Sequence, residues 1–476
     1  MAIDIKVEPK EFQSVYNDVI IVLDSDKKTE PNFQYVIDVN INGTYSTRLK
    51  VQSNPQGFGV VNIAKHLQAG ISSDIPSYEN DTPIFNKIPN SFDLYSVKLY
   101  EEYIVEDYYY TVTNLGGQAN FIFTNPHSFN VGDSVNITGS MPVYNGYQTV
   151  LTKTATSIQT TRTFVSHNSG NAKLSGDVST ITEDTTAVFS AAKFGINNVL
   201  DFEDVQAWDS SDYTLQSGTY GKFLTNLPTT YYSRLDDNIT MNVRANVTSV
   251  ANYLRVVTNL GTYDFENQHN VNASDTEFLS VRVGAGDFSE DNLDGDNADS
   301  FPMFNDSTVS YTVYTIDDRG ARTSEIRTFI IDRSCTNHEN IKLSYLNRGG
   351  SFSPYNFGGA SIKSIDVRKK SYEKNIGAYD VASNTYGYTS HDVGNTSLST
   401  SVKNKLKLNT NFLPESIGNL IKDLIISPKV YKIDTQRVAR SIDIKTSSMK
   451  IKKSSINKLI SYSIDVEFSS NDVTQK

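Results

Sequence analysis

The chain has 476 residues and a formal net charge of −11, with 38% hydrophobic and 20% charged residues. That length admits about three to five domains of ~100–150 residues. The single cysteine, Cys335, excludes an intrachain disulfide, and no run of ~18 apolar residues predicts a membrane span.

Met1 to Lys6 lacks a basic stretch followed by an apolar one, so the reading predicts no secretory signal and synthesis in a reducing cytoplasm. The 28 Tyr and 23 Phe against one Trp, with many Val, Ile and Thr, favour pleated surfaces. Asn, Ser, Asp and Gly fill the stretches between them as turn residues. Charge is uneven. Residues 1–340 carry 22 Lys+Arg and 43 Asp+Glu, whereas residues 341–476 carry 21 and 11. Two separate solvated surfaces would explain this split, and so would head-to-tail complementarity between copies or neighbours. The basic part has no compact Lys/Arg cluster interleaved with aromatics, which argues against nucleic-acid binding.

In chain order, Val19 to Leu23 predicts a short buried strand. Phe33 to Ile41 alternates, placing Phe33, Tyr35, Ile37, Val39 and Ile41 on one face. Asn42-Gly43 predicts a hairpin turn, and Asn62 to Leu67 a helical turn. Ser96 to Tyr103 and Glu106 to Val112 resume the strand pattern. After Thr113 the composition shifts. Phe121 to Thr124, Ser134 to Thr138, Thr149 to Lys153 and Ser157 to Thr161 are short strands with turns at Asn130 to Asp133 and Tyr144 to Tyr147, which suits a small barrel. Ala187 to Phe194 and Phe202 to Trp208 predict the strands that complete the interrupted first module.

Lys222 to Pro228 reads as a connector. Asn238 to Val247, Asn252 to Thr258 and Glu277 to Val283 are strands of a second module. Its clearest element is a hairpin of Val309 to Ile316 and Thr323 to Ile331, joined by Asp317 to Gly320. Leu413 to Leu424 predicts the best helix, with Leu413, Ile417, Leu420, Ile421 and Leu424 on one face and Pro428 as its stop. Lys429 to Ile433 and Arg440 to Lys445 follow as strands. In the last strand Ile460, Tyr462, Ile464, Val466 and Phe468 face one way.

The fold class predicted is mainly β: tandem antiparallel β-sandwich modules of fibronectin-III or immunoglobulin type, a small inserted β-barrel, and a C-terminal α+β region. The expected domains are 1–112 with 181–221, the insert 113–180, a second sandwich 222–335, and a β-rich domain 336–476 with one helix.

Chemistry-bearing patterns are sparse. The six histidines are dispersed, and Cys335 with His338 makes a lone C-x-x-H without the second half of a zinc site. The acidic stretch Gly284 to Ser300, with Asp287 and Asp291 to Asp299, fails the EF-hand pattern at Leu293 and reads as a solvated loop or a loose calcium site. Gly349-Gly350 and Gly358-Gly359 lack the Lys-Ser/Thr and helix of a phosphate loop, so they predict a tight aromatic loop around Phe352, Tyr355 and Phe357. No cofactor or metal site is predicted.

Several stretches together resemble one group of proteins. Phe12-x-x-Val15-Tyr16-Asn17 followed by Asn32-Phe33-x-Tyr35-Val36-x-Asp38-Val39 resembles the opening sandwich of virion proteins from tailed phages of Bacteroidetes, including the crAss-like group. Lys222 to Asn226 with Pro228 resembles their inter-domain connector. Cys335 with Ile341 to Gly350 resembles their recurrent strand and Gly-Gly loop, with Ser351-Phe352-Ser353 departing from the usual sequence after it. Leu420-Ile421-x-x-Leu424-x-x-Ser427-Pro428-x-Val430-Tyr431 resembles their closing helix-to-strand junction. Pro126 to Gly139 with Tyr144-Asn145-Gly146 resembles a small β-domain of phage tail and capsid proteins.

The resemblance implies a non-enzymatic structural subunit of the virion, in the tail, baseplate or neck ring, made in the host cytoplasm. Its partners would be other virion proteins and copies of itself, with no membrane. Phe352, Tyr355 and Phe357 are the expected assembly contacts, since aromatics dominate interface hot spots. The alternatives are a receptor-binding module whose Tyr108 to Tyr110 and Tyr231-Tyr232 stack on host surface glycans, and a glycan-cleaving tail enzyme.

Overall fold

A computed structural model describes residues 3–473 apart from 31, 80–81, 105–107, 125, 128, 139–140, 175–178, 185–188, 190–192, 246–250, 270–276, 291–300, 335–337, 390, 392–393, 415–417, 449–458 and 471. Among the described residues 49% are strand and 7% helix, as the mainly β reading expects. It forms two compact units, one of Met1–Gly70 with Asp93–Gly195 and one of Ile71–Phe92 with Ile196–Lys476.

In the first unit, a six-stranded sheet runs in the order Phe12–Ser14, Lys193–Ile196, Phe92–Ile104, Gln34–Ile41, Thr44–Gln52, with Ser179–Asp184 pairing beside Phe92–Ile104. Asn42 (φ 50°) and Gly43 (φ 76°) make its hairpin turn, because a tight two-residue turn that follows the strand twist needs positive φ at both positions. Tyr35, Ile37 and Val39 are buried as the alternation predicts, and so is Val36 on the other face. Six further strands close a barrel in the order Gln118–Phe123, Ser157–Thr163, Gly146–Lys153, Ser134–Thr138, Ser169–Leu174, Tyr108–Leu115. Tyr110, Phe121, Phe129, Val135, Tyr144 and Ile158 fill it. The strands that flank the barrel are direct partners, Ile104 opposite Ser179, so it grows out between neighbouring strand ends. The predicted strand Ala187 to Phe194 lies mostly outside the described residues.

In the second unit, a five-stranded sheet (Thr230–Ser233, Arg327–Ile331, Ser310–Ile316, Tyr253–Val257, Thr262–Glu266) and a three-stranded sheet (Thr240–Ala245, Glu277–Arg282, Phe85–Lys87) feed one core that includes Met241, Val243, Val256, Phe265, Val281 and Phe329. Residues 71–92 and 196–221, which the sequence reading placed with the first module, belong here. Phe85–Lys87 is the third strand of that small sheet, and the Arg282 guanidinium donates to the carbonyls of Thr82 and Glu79 at 3.0 Å each. The predicted strand Thr323 to Ile331 shortens to Arg327–Ile331, because the Ser324 hydroxyl takes the Thr315 N–H at 2.8 Å and displaces the ladder. Phe202 to Trp208 is no strand. It is the helix Phe202–Ala207, opened by an extended Asp201 and with Glu203 and Asp204 in its first turn, where carboxylates favour the helix dipole.

The C-terminal sheet has the order Phe352–Phe357, Ile341–Leu346, Val430–Ile433, Ala439–Ile444, Ser463–Phe468, Asn395–Asn409, Ile362–Glu373, with Asp472–Val473 beside Asn395–Asn409. The helix is Gly418–Ile426 rather than Leu413 to Leu424. Leu420, Ile421 and Leu424 are buried, as its period requires. Leu413–Pro414 instead pairs with Leu459–Ile460, and the Thr410 N–H to Tyr462 carbonyl bond (2.9 Å) keeps the chain extended up to that pair. Ile460, Tyr462, Ile464 and Val466 are buried in alternation, as predicted for the last strand.

Candidate assembly surface

Strands Ile362–Glu373 and Asn395–Asn409 form a long antiparallel arm, joined at its end by the small pair Ala378–Asp380 and Thr385–Gly387. Twelve residues at ~3.3 Å each give the first strand a length of roughly 40 Å. All twelve are exposed, so neither face of that strand is packed against the unit. The outer edge of Ile362–Glu373 has no strand beside it among the described residues.

The two faces differ. Cross-strand partners share a face, so Ile365 opposite Asn404 and Val367 opposite Val402 make one, which runs inward to the buried Leu406. Lys403, Lys405, Lys407, Arg368 and Lys370 lie on the other. At the end of the arm Tyr379 faces Tyr386, and the rings of Tyr386 and Tyr388 lie 5.4 Å apart edge to face. Ten of the large apolar side chains left exposed among the described residues fall between Ile362 and Leu398. Lys405 holds the Asp366 carboxyl below its ordinary value through a 2.5 Å contact. Arg368, Lys369, Lys370 and Lys374 make no ion pair among the described residues. No contact surface is predicted here from the sequence. The period-two alternation of Val402, Leu406 and Leu408 with Lys403, Lys405 and Lys407 was the available clue.

The expected contact residues lie elsewhere. Phe352, Tyr355 and Phe357 sit on the strand Phe352–Phe357, not a loop, and all three are buried. Tyr355 and Phe357 pack edge to face at 4.8 Å in the C-terminal core, and burial pushes the Tyr355 hydroxyl pKa up. The flanking glycines are explained by close approach. A Cβ at Gly349 would fall 2.4 Å from Thr225 Cα, and one at Gly350 (φ +85°) 2.0 Å from the Asn197 carbonyl oxygen. The side chains of this segment therefore point into the second unit rather than offering a contact on its surface.

Strand alternation also divides the tyrosine groups. Tyr110 is in the barrel core and Tyr109 is exposed. Tyr231 is buried with its hydroxyl on the Pro354 carbonyl at 2.8 Å, and Tyr232 is exposed. Cys335 and Asp291 to Asp299 lie outside the described residues. Asp287 is a buried partner of Arg282, with side-chain exposures of 0% and 1%. Among the described residues no group of three His, Cys, Asp or Glu gathers in a way that could hold a metal ion.

One cleft of about 380 Å³ opens in the second unit, with Asp204, Trp208, Asn226, Arg348, Lys422 and Asp423 in its lining. Trp208 stacks on Tyr213 at 4.4 Å, and Asn226 donates to the Asp423 carboxylate. Burial raises the pKa of that carboxyl against the opposing pull of Arg348 and Lys422. No protein-family model matches the chain, and no curated protein matches it.

Proposed function

We propose that the chain is a non-enzymatic structural subunit of a tailed-phage particle, in the tail, baseplate or neck ring, working through contacts with neighbouring subunits. The observation that carries this reading is the arm, whose apolar face and open edge lie bare in a single chain. A two-stranded ribbon is marginally stable alone, and an uncovered edge strand invites pairing. Such an element makes physical sense where a neighbour covers it. The ordered resemblance of five stretches to phage virion proteins supports the same reading. The two sheets around one core, built from Thr230 to Ile331 with Phe85–Lys87 added, support a fibronectin-III-like sandwich as the scaffold.

Immunogold labelling of purified particles of the encoding phage tests the reading. Label is expected at fixed sites on the tail or at the head-tail junction. Particles that lack the protein would sink it. The polar cleft beside Trp208 favours a second reading, a glycan-binding adhesin module. Selective retention of the chain on a glycan array, lost in Arg348→Ala, would support that alternative.

A further inference from the structure

We propose that two copies of the chain pair through the open edge of the arm, strand Ile362–Glu373 of one against the same strand of the other, antiparallel about a two-fold axis. The proposal rests on the structural-subunit reading and names the partner. A neighbour lying on one face of the arm would leave the other face bare. A strand added in the plane of the sheet continues both faces at once, and it takes up the unpaired N–H and C=O groups of the edge. It also turns two marginal two-stranded ribbons into one four-stranded sheet.

The charges of this strand match those of its own copy in one register. A two-fold axis normal to the sheet sets one residue opposite itself. With Val367 opposite the partner's Val367, every residue from Ile362 to Tyr372 gains a partner, and only Glu373 of the twelve is left over. On one face Asp366 then meets the partner's Arg368, and by symmetry Arg368 meets the partner's Asp366. Lys405 holds Oδ2 of Asp366 at 2.5 Å, which leaves Oδ1 for the incoming guanidinium. Ile362, exposed in the single chain, meets the partner's Tyr372, and Lys370 meets the partner's Ser364. On the other face Val402 already lies opposite Val367, so the two valines and their copies form a row across all four strands. Ile365 lies against the stem of the partner's Lys369, and Lys363 meets the partner's Ser371. Like charges directly opposite each other destabilise a pair, and this register has none. Centring on Arg368 would set Arg368 against itself. Centring on Asp366 would set Asp366 against itself and Lys363 against Lys369. Cations that guard an edge against indiscriminate pairing therefore admit this one arrangement. Residues 360–409 carry eight Lys+Arg against four Asp+Glu, so main-chain bonds and the valine row supply the attraction while the Asp366 and Arg368 pairs fix the register.

Sedimentation velocity of the full chain across the micromolar range tests this. The expected species is a dimer and nothing larger, because an isologous contact closes on itself. Asp366→Arg sets Arg against the partner's Arg368, and Arg368→Asp sets Asp against the partner's Asp366. Each variant alone should dimerise roughly tenfold more weakly. Mixed in equal amounts, the two should form a heterodimer, and one chain carrying both changes should dimerise again. Both positions are exposed, and unchanged circular dichroism and melting would show that the variants fold. The register has its own readout. In a Cys335→Ser background, Val367→Cys should cross-link into a covalent dimer under mild oxidation, because opposite Cα atoms lie about 4.5–5.5 Å apart, within disulfide reach. Ile365→Cys should not, because its copy stands roughly 13 Å further along the strand.

A chain that stays monomeric across this range overturns the proposal. Self-association indifferent to both single changes, or restored by neither combination, also overturns it, and so does cross-linking through Ile365→Cys in place of Val367→Cys. Immunogold label on particles together with a monomeric chain would sink this inference alone and leave the structural-subunit reading standing. A dimer with the expected register, from a phage whose particles carry no label, would sink that reading and leave this contact standing.

Discussion

Removing the buried carboxylate at position 287 should strongly destabilise the second unit. Asp287 accepts from Arg282 Nε at 2.9 Å, from Asn238 Nδ2 at 2.8 Å, and from the backbone N–H groups of Ile239 and Gly284 at 2.9 and 3.0 Å. Arg282 in turn clamps the carbonyls of Thr82 and Glu79, tying residues 71–92 into the fold. Asp287→Ala strands a buried guanidinium and two backbone donors. Breaking a buried pair from one side costs about 3–5 kcal/mol. At ~2–4 °C per kcal/mol for a large domain, the melting temperature should drop by roughly 6–20 °C. Trp208 is the only tryptophan and lies buried in this unit, so its fluorescence reports this transition directly. Arg282→Met with Asp287→Leu should recover only the part of the loss due to the orphan charge, because the Ile239 and Gly284 N–H groups stay unpaired. A drop below ~2 °C for Asp287→Ala, or a double variant as unstable as the two single losses added, would refute the reasoning.

Gly350→Ala should lower the same transition by at least ~2 kcal/mol, through positive φ and the collision with the Asn197 carbonyl, and thermal unfolding followed by Trp208 fluorescence would show it. Deleting residues 108–174 with a short Gly-Ser bridge should leave a soluble chain that keeps its Trp208 melting transition, because Ile104 and Ser179 already pair; aggregation on size-exclusion chromatography would contradict this. Asp423→Asn should flatten the dependence of melting temperature on pH in the acidic range. Burial raises this carboxyl above its ordinary ~3.9, so the folded state holds the proton more tightly. Stability therefore falls as pH rises from the unfolded value through the folded one, and calorimetry from pH 4 upward should show that slope vanish in the variant.

What was legible in the sequence was local chemistry. Asn42-Gly43 and Asn145-Gly146 specify turns by backbone geometry alone, and Leu420, Ile421 and Leu424 mark a helical face by period. The errors came where a distant partner decides. Leu413 is extended because it meets Ile460, and no local preference encodes that pairing. Glycines flanking Phe352, Tyr355 and Phe357 suggest a loop, yet they are there to let the backbone pass close to Thr225 and Asn197. The exposure of the arm is not encoded locally, for a related reason. Alternating Lys and apolar residues describe a half-buried strand equally well, and only tertiary structure shows that Ile365 and Val367 are left uncovered.

The course of the chain through the two units constrains how it is made. Phe85–Lys87 is synthesised early, but its partner strand Glu277–Arg282 emerges about 190 residues later. At ~5–20 residues per second that is a wait of roughly 10–40 s on the ribosome. During it, the first unit can gather all of its own strands through Lys193–Ile196, while residues 71–92 remain an unsatisfied loop of the nascent polypeptide. Order of translation thus favours completing the first unit before the second unit's small sheet can close, and it makes Phe85 and its neighbours the stretch that a holding chaperone would meet first.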